Sequence, residues 1–292
     1  MVGARPHDRR MGEIFVGSEV LADGSVTRYE LTRWYRAIHP NVYTARGRQL
    51  TLRDRALAAS LWSKRRGILT GVAASAVHGA EWVDADTPIE LVHAATRPPA
   101  GVVTRDERIG PDEFGWRHGM LVATVERTAF DLGRHLRRGP AVARMDALMR
   151  ARPFSTEGVL LLAERYRGAR GLNRLREALA LVDGGAASPR ETWLRLLYID
   201  AGLPRPTTQV PIYDPDGRLL RTCDMGWEDY KVVAEYDGDQ HRTDRPQYVK
   251  DMRIIPKIER LGHIVLRVIK EDRPHEIVAA AREALLSRGW RP

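Results

Sequence analysis

RTCDMGWEDYKVVAEYDGDQH, residues 221–241, decides how the rest of the chain is read. It predicts two β-strands, roughly Leu219 to Met225 and Lys231 to Tyr236, joined by a short polar turn at Gly226, Trp227, Glu228 and Asp229. The second strand places acids after an apolar run. Val232, Val233 and Ala234 belong to a buried strand, whereas Glu235 and Asp237 bring charge to its end. With the turn centred near Glu228–Asp229, position 224 pairs with about position 233. Asp224 and Glu235 then become diagonal neighbours, roughly 7–8 Å apart. Asp237 shares their face, because side chains alternate with period two. Three carboxylates on one sheet face are costly unless a cation sits among them, and a divalent metal ion answers that need directly.

Outward from this hairpin, DGGAASP at residues 183–189 interrupts a helical pattern and marks a boundary between regions 1–183 and 184–292. Pro189 suits the first turn of a new helix, PRETWLRLLYIDAG, which ends at Gly202 and carries Glu191 in its first turn. TTQVPIY gives a strand and DPDG a turn into the hairpin. YVKDMRIIPKIERLGH reads as a helix with Ile255, Ile258 and Leu261 inward, HIVLRVI as a strand, and residues 273–288 as a closing helix. The order of the region is helix, three strands, helix, strand, helix. The fold class is α/β (α+β).

The N-terminal region is read differently. Residues 1 to about 12 are polar and basic, and fraying is expected there. Ser25 or Thr27 caps a helix, Glu30 standing three residues after Thr27 as a capping box requires, and Leu31, Trp34, Tyr35 and Ile38 give one apolar helical face that Pro40 stops. NVYTA is a short strand. Helix, turn, strand and turn make the tail of a winged helix-turn-helix, with Arg28, Arg33 and Arg36 facing out to meet phosphates. The alternative is a small α/β subdomain with a solvated basic face. A helix over Leu50 to Ser63 follows, then an Ala-rich helix with Thr70 as N-cap that ends at Gly79, where His78 complements the helix dipole. PIELVH, GVVTRD and HGMLVAT are short strands. TVERTAFDLGRHL is a helix capped by Thr124, and helices without evident chemistry continue to about Val182.

Composition bounds the function classes. The 292 residues carry 47 Lys and Arg against 38 Asp and Glu, a net charge of +9 and a pI near 10.0. The excess is mostly Arg, which suits phosphate contacts. Cys223 stands alone, so neither an intrachain disulfide nor a Cys-based zinc site is available; it is read as a small strand residue facing away from the acids. No segment has the apolar length of a signal peptide core or a membrane span, so a cytoplasmic protein with no membrane partner is expected.

Several pieces, taken in order, resemble the DUF559 family of PD-(D/E)xK nuclease-like domains, relatives of the very-short-patch-repair endonucleases. They are SPRETWLR, GLPRPTTQ, the Asp of TCDMGW, VVAEYDGDQH, KDMR and LGHIVLRV, spanning residue 188 to about 270. More weakly, LTRWYRAIHPNVYTARG, GVAASAVHG and TVERTAFDLGR resemble AbiEi-type antitoxin and regulator regions. The resemblance implies a restriction-endonuclease-like domain that hydrolyses DNA phosphodiesters with Mg²⁺ or Mn²⁺, in repair or defence. It implies Asp224 and Glu235 as metal ligands, Glu191 completing or orienting their shell, and Asp237 where most such motifs carry lysine. DUF559-like sequences share that variant. His241 becomes the candidate general base, Lys250 and Arg253 the candidates for the scissile phosphate, and Asp251 a partner for His241 or for the neighbours of Arg253; the domain so implied has three layers around a central mixed sheet. The competing expectation is a non-catalytic DNA-binding regulator or antitoxin-like protein that retains a nuclease scaffold.

Overall fold

The computed structural model describes residues 13–95, 97–237 and 254–292. The chain divides into two units: one runs to Leu136 and takes up Ala151–Arg176, the other comprises Arg137–Arg150 and Glu177–Pro292. The fold is mixed α/β, and the described residues form three sheets.

In the first unit, Thr27 caps the Arg28–Trp34 helix with the expected reciprocal box to Glu30. The helix then stops earlier than its apolar spacing predicts. Tyr35–His39 is strand β2 instead, paired antiparallel with β3 (Val42–Ala45), which also pairs with β1 (Phe15–Val16). The cause lies at Asn41, whose φ of 63° closes a hairpin after Pro40. Pairing buries Tyr35 edge-on against Phe15, with ring centroids 5.0 Å apart, whereas Trp34 stays exposed. Of the three arginines expected to face outward, Arg28 and Arg33 are exposed, but Arg36 is half-buried and donates to the Arg48 carbonyl at 3.1 Å.

A five-stranded sheet completes this unit: β4 (Ile68–Thr70), β5 (Ile89–Val92), β6 (Val102–Arg105), β7 (Phe114–Arg117) and β8 (Met120–Ala123), in the order β6-β5-β4-β8-β7. Its core joins Leu69, Leu91, Met120 and Val122 to alanines of the Leu52–Trp62 and Gly71–Val77 helices. Thr70 precedes the latter helix, but its hydroxyl does not cap it; it donates to Asp131 at 2.6 Å. His78 bonds the Ala123 carbonyl at 2.8 Å, and burial lowers its pKa. It is therefore a neutral packing residue and not a cation on the helix dipole.

The second unit follows the predicted order. The Pro189–Asp200 helix begins at Ser188, whose Oγ accepts from Glu191 N at 3.2 Å. Strands β9 (Thr207–Tyr213), β10 (Leu219–Trp227), β11 (Val232–Asp237) and β12 (Ile264–Ile269) form one sheet in the order β12-β11-β10-β9. The first three run antiparallel, and β12 is parallel to β11. Leu194, Tyr198, Ile277, Ala281 and Leu285 cover one sheet face against Met225, Trp227, Val232 and Ala234. Ile258, in helical residues 254–260, covers the other with Val210, Ile212, Cys223 and Val233. Three layers result, closed by the Pro274–Ser287 helix.

The hairpin register differs from expectation by two residues. β10 extends to Trp227, Glu228–Tyr230 form a 3-10 turn, and Lys231 closes it at φ 51°. Met225 therefore faces Ala234 and Trp227 faces Val232. The paired register ends there, and just beyond it the Asp224 side chain accepts from Tyr236 N at 2.8 Å. The core contacts also change sides here, since Met225 packs with the Leu194 layer and Cys223 with the Ile258 layer. Asp224 lies at this switch, beside the stretch of β9 where Gln209 adopts φ 53°.

Candidate functional site

Glu235 ends the apolar run of β11 and is 3% exposed. Burial raises its pKa; the Arg221 guanidinium, whose Nε donates to it, opposes this, and Asp224 adds to it. The thiol of Cys223 also hydrogen-bonds Glu235, so the cysteine shares the face of the acids and does not turn away from them. Burial pushes that thiol far up, so it is no nucleophile. Asp224 Oδ2 accepts from Tyr236 N at 2.8 Å, which pins its side chain across the hairpin. Glu191 reaches the same neighbourhood from the first turn of the Pro189–Asp200 helix. Its Oε2 accepts from Ala187 N at 2.7 Å, and its pKa is raised by burial and then by Asp224.

Asp224 thus acts electrostatically on both Glu191 and Glu235, and the Arg221 guanidinium partly offsets this at Glu235. They are not drawn tight. Among the described residues only Glu107, Asp131 and His135 offer three ligand atoms within 4.8 Å of one another. Asp237 is paired with Arg267 of β12, and Arg267 stands opposite Glu235 in the parallel register. Two guanidiniums therefore border the acids, and neither was singled out by the sequence. His241, Lys250, Asp251 and Arg253 lie outside the described residues.

A second charged constellation is buried in the first unit. The Val125–His135 helix carries Arg127, 1% exposed, and Arg134, 4% exposed. Arg127 donates to Asp131 at 3.0 Å, to Glu113 at 2.6 Å and to the Arg108 carbonyl at 3.0 Å. Arg134 donates to Glu107 and, at 3.4 Å, to Asp131. Tyr166 adds a 2.6 Å bond to Glu113. Burial works to raise the Glu107 carboxyl, but a 3.0 Å contact with His135 and the Arg134 charge hold it down to about 2. The Glu107, Asp131 and His135 atoms lie close together, yet guanidiniums already occupy both carboxylates, which makes this an ion-pair network and a poor cation cage. The sequence signal for it was slight: Arg127, Asp131 and Arg134 recur at helical spacing around Phe130, on a face otherwise apolar.

No model of a known protein family matches this chain. Two proteins of Mycobacterium tuberculosis, from strains CDC 1551 / Oshkosh and H37Rv and each named an uncharacterized protein, are 31% identical to it over 176 residues. The match covers 60% of this chain and 64% of each relative, so the chain spans less than two thirds of the length of the curated relatives it matches.

Proposed function

We propose that the second unit is a metal-dependent endonuclease that hydrolyses DNA phosphodiester bonds, as its resemblance to DUF559 domains implies. The observation that carries this reading is Glu235: a carboxylate 3% exposed at the end of a central strand, within electrostatic reach of Asp224, which also acts on Glu191. The donor set fits Mg²⁺ or Mn²⁺, since it is all oxygen and carries mutual repulsion that a hard cation relieves. Asp224 and Glu235 would hold the ion, with Glu191 orienting the shell. A bound ion supplies a lowered water pKa and charge stabilisation at the phosphoryl group.

The chain's own residues define the rest. Arg221 pairs with Glu235 and would have to release it for a cation to be held there. Arg267, paired with Asp237, supplies positive charge beside the position where related motifs carry lysine. His241 is the proposed base, and Lys250 and Arg253 the proposed phosphate contacts. The same ion pairs favour a second reading, in which Arg221 and Arg267 permanently satisfy the acids of a non-catalytic DNA-binding regulator.

Cleavage assays separate the two. Purified protein with Mg²⁺ or Mn²⁺ is expected to nick duplex, mismatched, branched or single-stranded DNA, and Glu235→Ala to abolish this with the circular dichroism spectrum unchanged. Absence of cleavage on all four substrates, together with no Mn²⁺ uptake in a calorimetric titration, would leave the regulator reading standing.

A further inference from the structure

The first unit contains a cavity of about 450 Å³ that the nuclease reading does not use. That volume is in the range of small-molecule sites, roughly 300–1,000 Å³. Six arginines line it: Arg108, Arg127, Arg134, Arg165, Arg167 and Arg170, against the single acid Glu107. Most of these charges are spoken for. Arg127 and Arg134 are held by Glu107, Glu113 and Asp131, Arg165 by Asp112 and Glu113, and Arg167 by Glu164. Arg108 and Arg170 are different. Both are exposed, and neither side chain has a hydrogen-bond or ion-pair partner among the described residues. Their backbone carbonyls, by contrast, accept from Arg127 and Arg134, so the two residues are anchored while their guanidiniums stay free. The buried Nε of Arg134 also lacks an acceptor.

The remaining wall is aromatic. Tyr166, half-buried, presents the accessible ring; Phe130 packs behind it with ring centroids 5.8 Å apart and is itself covered by Arg127 at 5.3 Å and Arg134 at 4.6 Å. Gly168 completes the lining, and nothing lies within 4 Å of where its Cβ would be, so a ligand can approach the backbone closely. Anchored arginines with free guanidiniums recognise phosphate, and aromatic and guanidinium planes receive a flat ring. A neighbouring depression shares Arg167 and Ala169 and adds Arg174 and Arg176, extending the positive field.

We propose that this cavity binds a mononucleotide, with Arg108 and Arg170 on its phosphate and Tyr166 beside its base. The site lies entirely within the first unit and includes none of Glu191, Asp224 and Glu235, so it stands or falls apart from the nuclease reading.

Isothermal titration of the full chain with AMP, GMP, CMP and UMP, with the matching nucleosides and with inorganic phosphate tests it. At least one monophosphate is expected to saturate, with affinity tenfold or more above both its nucleoside and phosphate alone. The Arg108→Ala/Arg170→Ala double variant is expected to lose at least tenfold in affinity at unchanged melting temperature, while Glu235→Gln leaves binding intact. Failure of all four nucleotides to saturate at millimolar concentration would overturn the proposal. So would phosphate binding as tightly as the nucleotides, or full affinity in the double variant.

Discussion

At the scale of single residues, two glutamates carry opposite signatures of burial. Glu107 is held ionised by His135 and Arg134, down to about 2. A carboxyl with a depressed folded pKa contributes stability above its unfolded value, near 4.5, and loses it progressively as pH falls toward 2. Solvent screening reduces the effect for a carboxyl that is only half-buried. Glu107→Gln should therefore destabilise by up to about 2 kcal/mol at pH 7 and by much less near pH 3. Urea unfolding at the two pH values checks this, and an equal loss at both would refute the ionic account. Glu191 has the reverse sign. Burial and Asp224 raise its pKa, so its contribution is complete below about 4.5 and is lost as pH rises through the folded value. Glu191→Gln keeps an acceptor for Ala187 N and removes the charge, so it should stabilise by about 1 kcal/mol at pH 8, with no gain at pH 4. Saturating Mn²⁺ should stabilise the unmodified protein at pH 8 and erase the variant's advantage if the acids hold an ion.

At the scale of elements, local chemistry was legible wherever a single segment decides the outcome. The Thr27–Glu30 box, the Ser188 cap with Pro189 and the order of helix and strands in the second unit all stood in the sequence. Features set by two segments were not. Residues 35–39 show helical spacing, yet pairing with Val42–Ala45 across the Asn41 turn overrides it. Likewise the β10–β11 register hangs on whether Tyr230 and Lys231 belong to the turn, and two residues there shift it so that Met225 faces Ala234. The Arg127 network joins its helix to Glu107 and Glu113 of the β6–β7 connection and to Tyr166, which no one-dimensional pattern reveals. The β4-to-helix junction offers an element-scale test. Gly71 holds φ 63°, and a Cβ there would collide with Glu90, which Arg105 fixes. Gly71→Ala should cost about 2–4 kcal/mol in urea unfolding, combining backbone strain with the displaced ion pair. Gly115→Ala, with open space around it and an ordinary φ, should stay within about 0.5 kcal/mol. Equal effects would remove strain as the cause.

At the scale of the whole molecule, a net charge of +9 is distributed over a chain in which no described helix is long and apolar enough to cross a membrane. The break at residues 183–189 is visible in the sequence, but the second unit also draws in Arg137–Arg150. The reason is a buried ion pair. Asp146 is 1% and Arg195 0% exposed, 2.7 Å apart, and Asp146 also accepts from Thr192 at 2.8 Å and from Asp183 N at 2.7 Å. Arg195 further donates to the Leu181 carbonyl at 2.7 Å. This one acid therefore satisfies the Pro189–Asp200 helix and the preceding connection together, and so fixes the start of the helix that presents Glu191. Removing it strands a buried guanidinium, a loss of about 3–5 kcal/mol against a total stability of about 5–15 kcal/mol. Asp146→Ala should accordingly unfold at markedly lower denaturant. Replacing both partners, as in Asp146→Leu/Arg195→Met, removes the stranded charge and should recover much of the loss. If the double variant proves no more stable than Asp146→Ala, the penalty belongs to the lost Thr192 and Asp183 hydrogen bonds, and the ion pair is not what ties residues 137–150 to this unit.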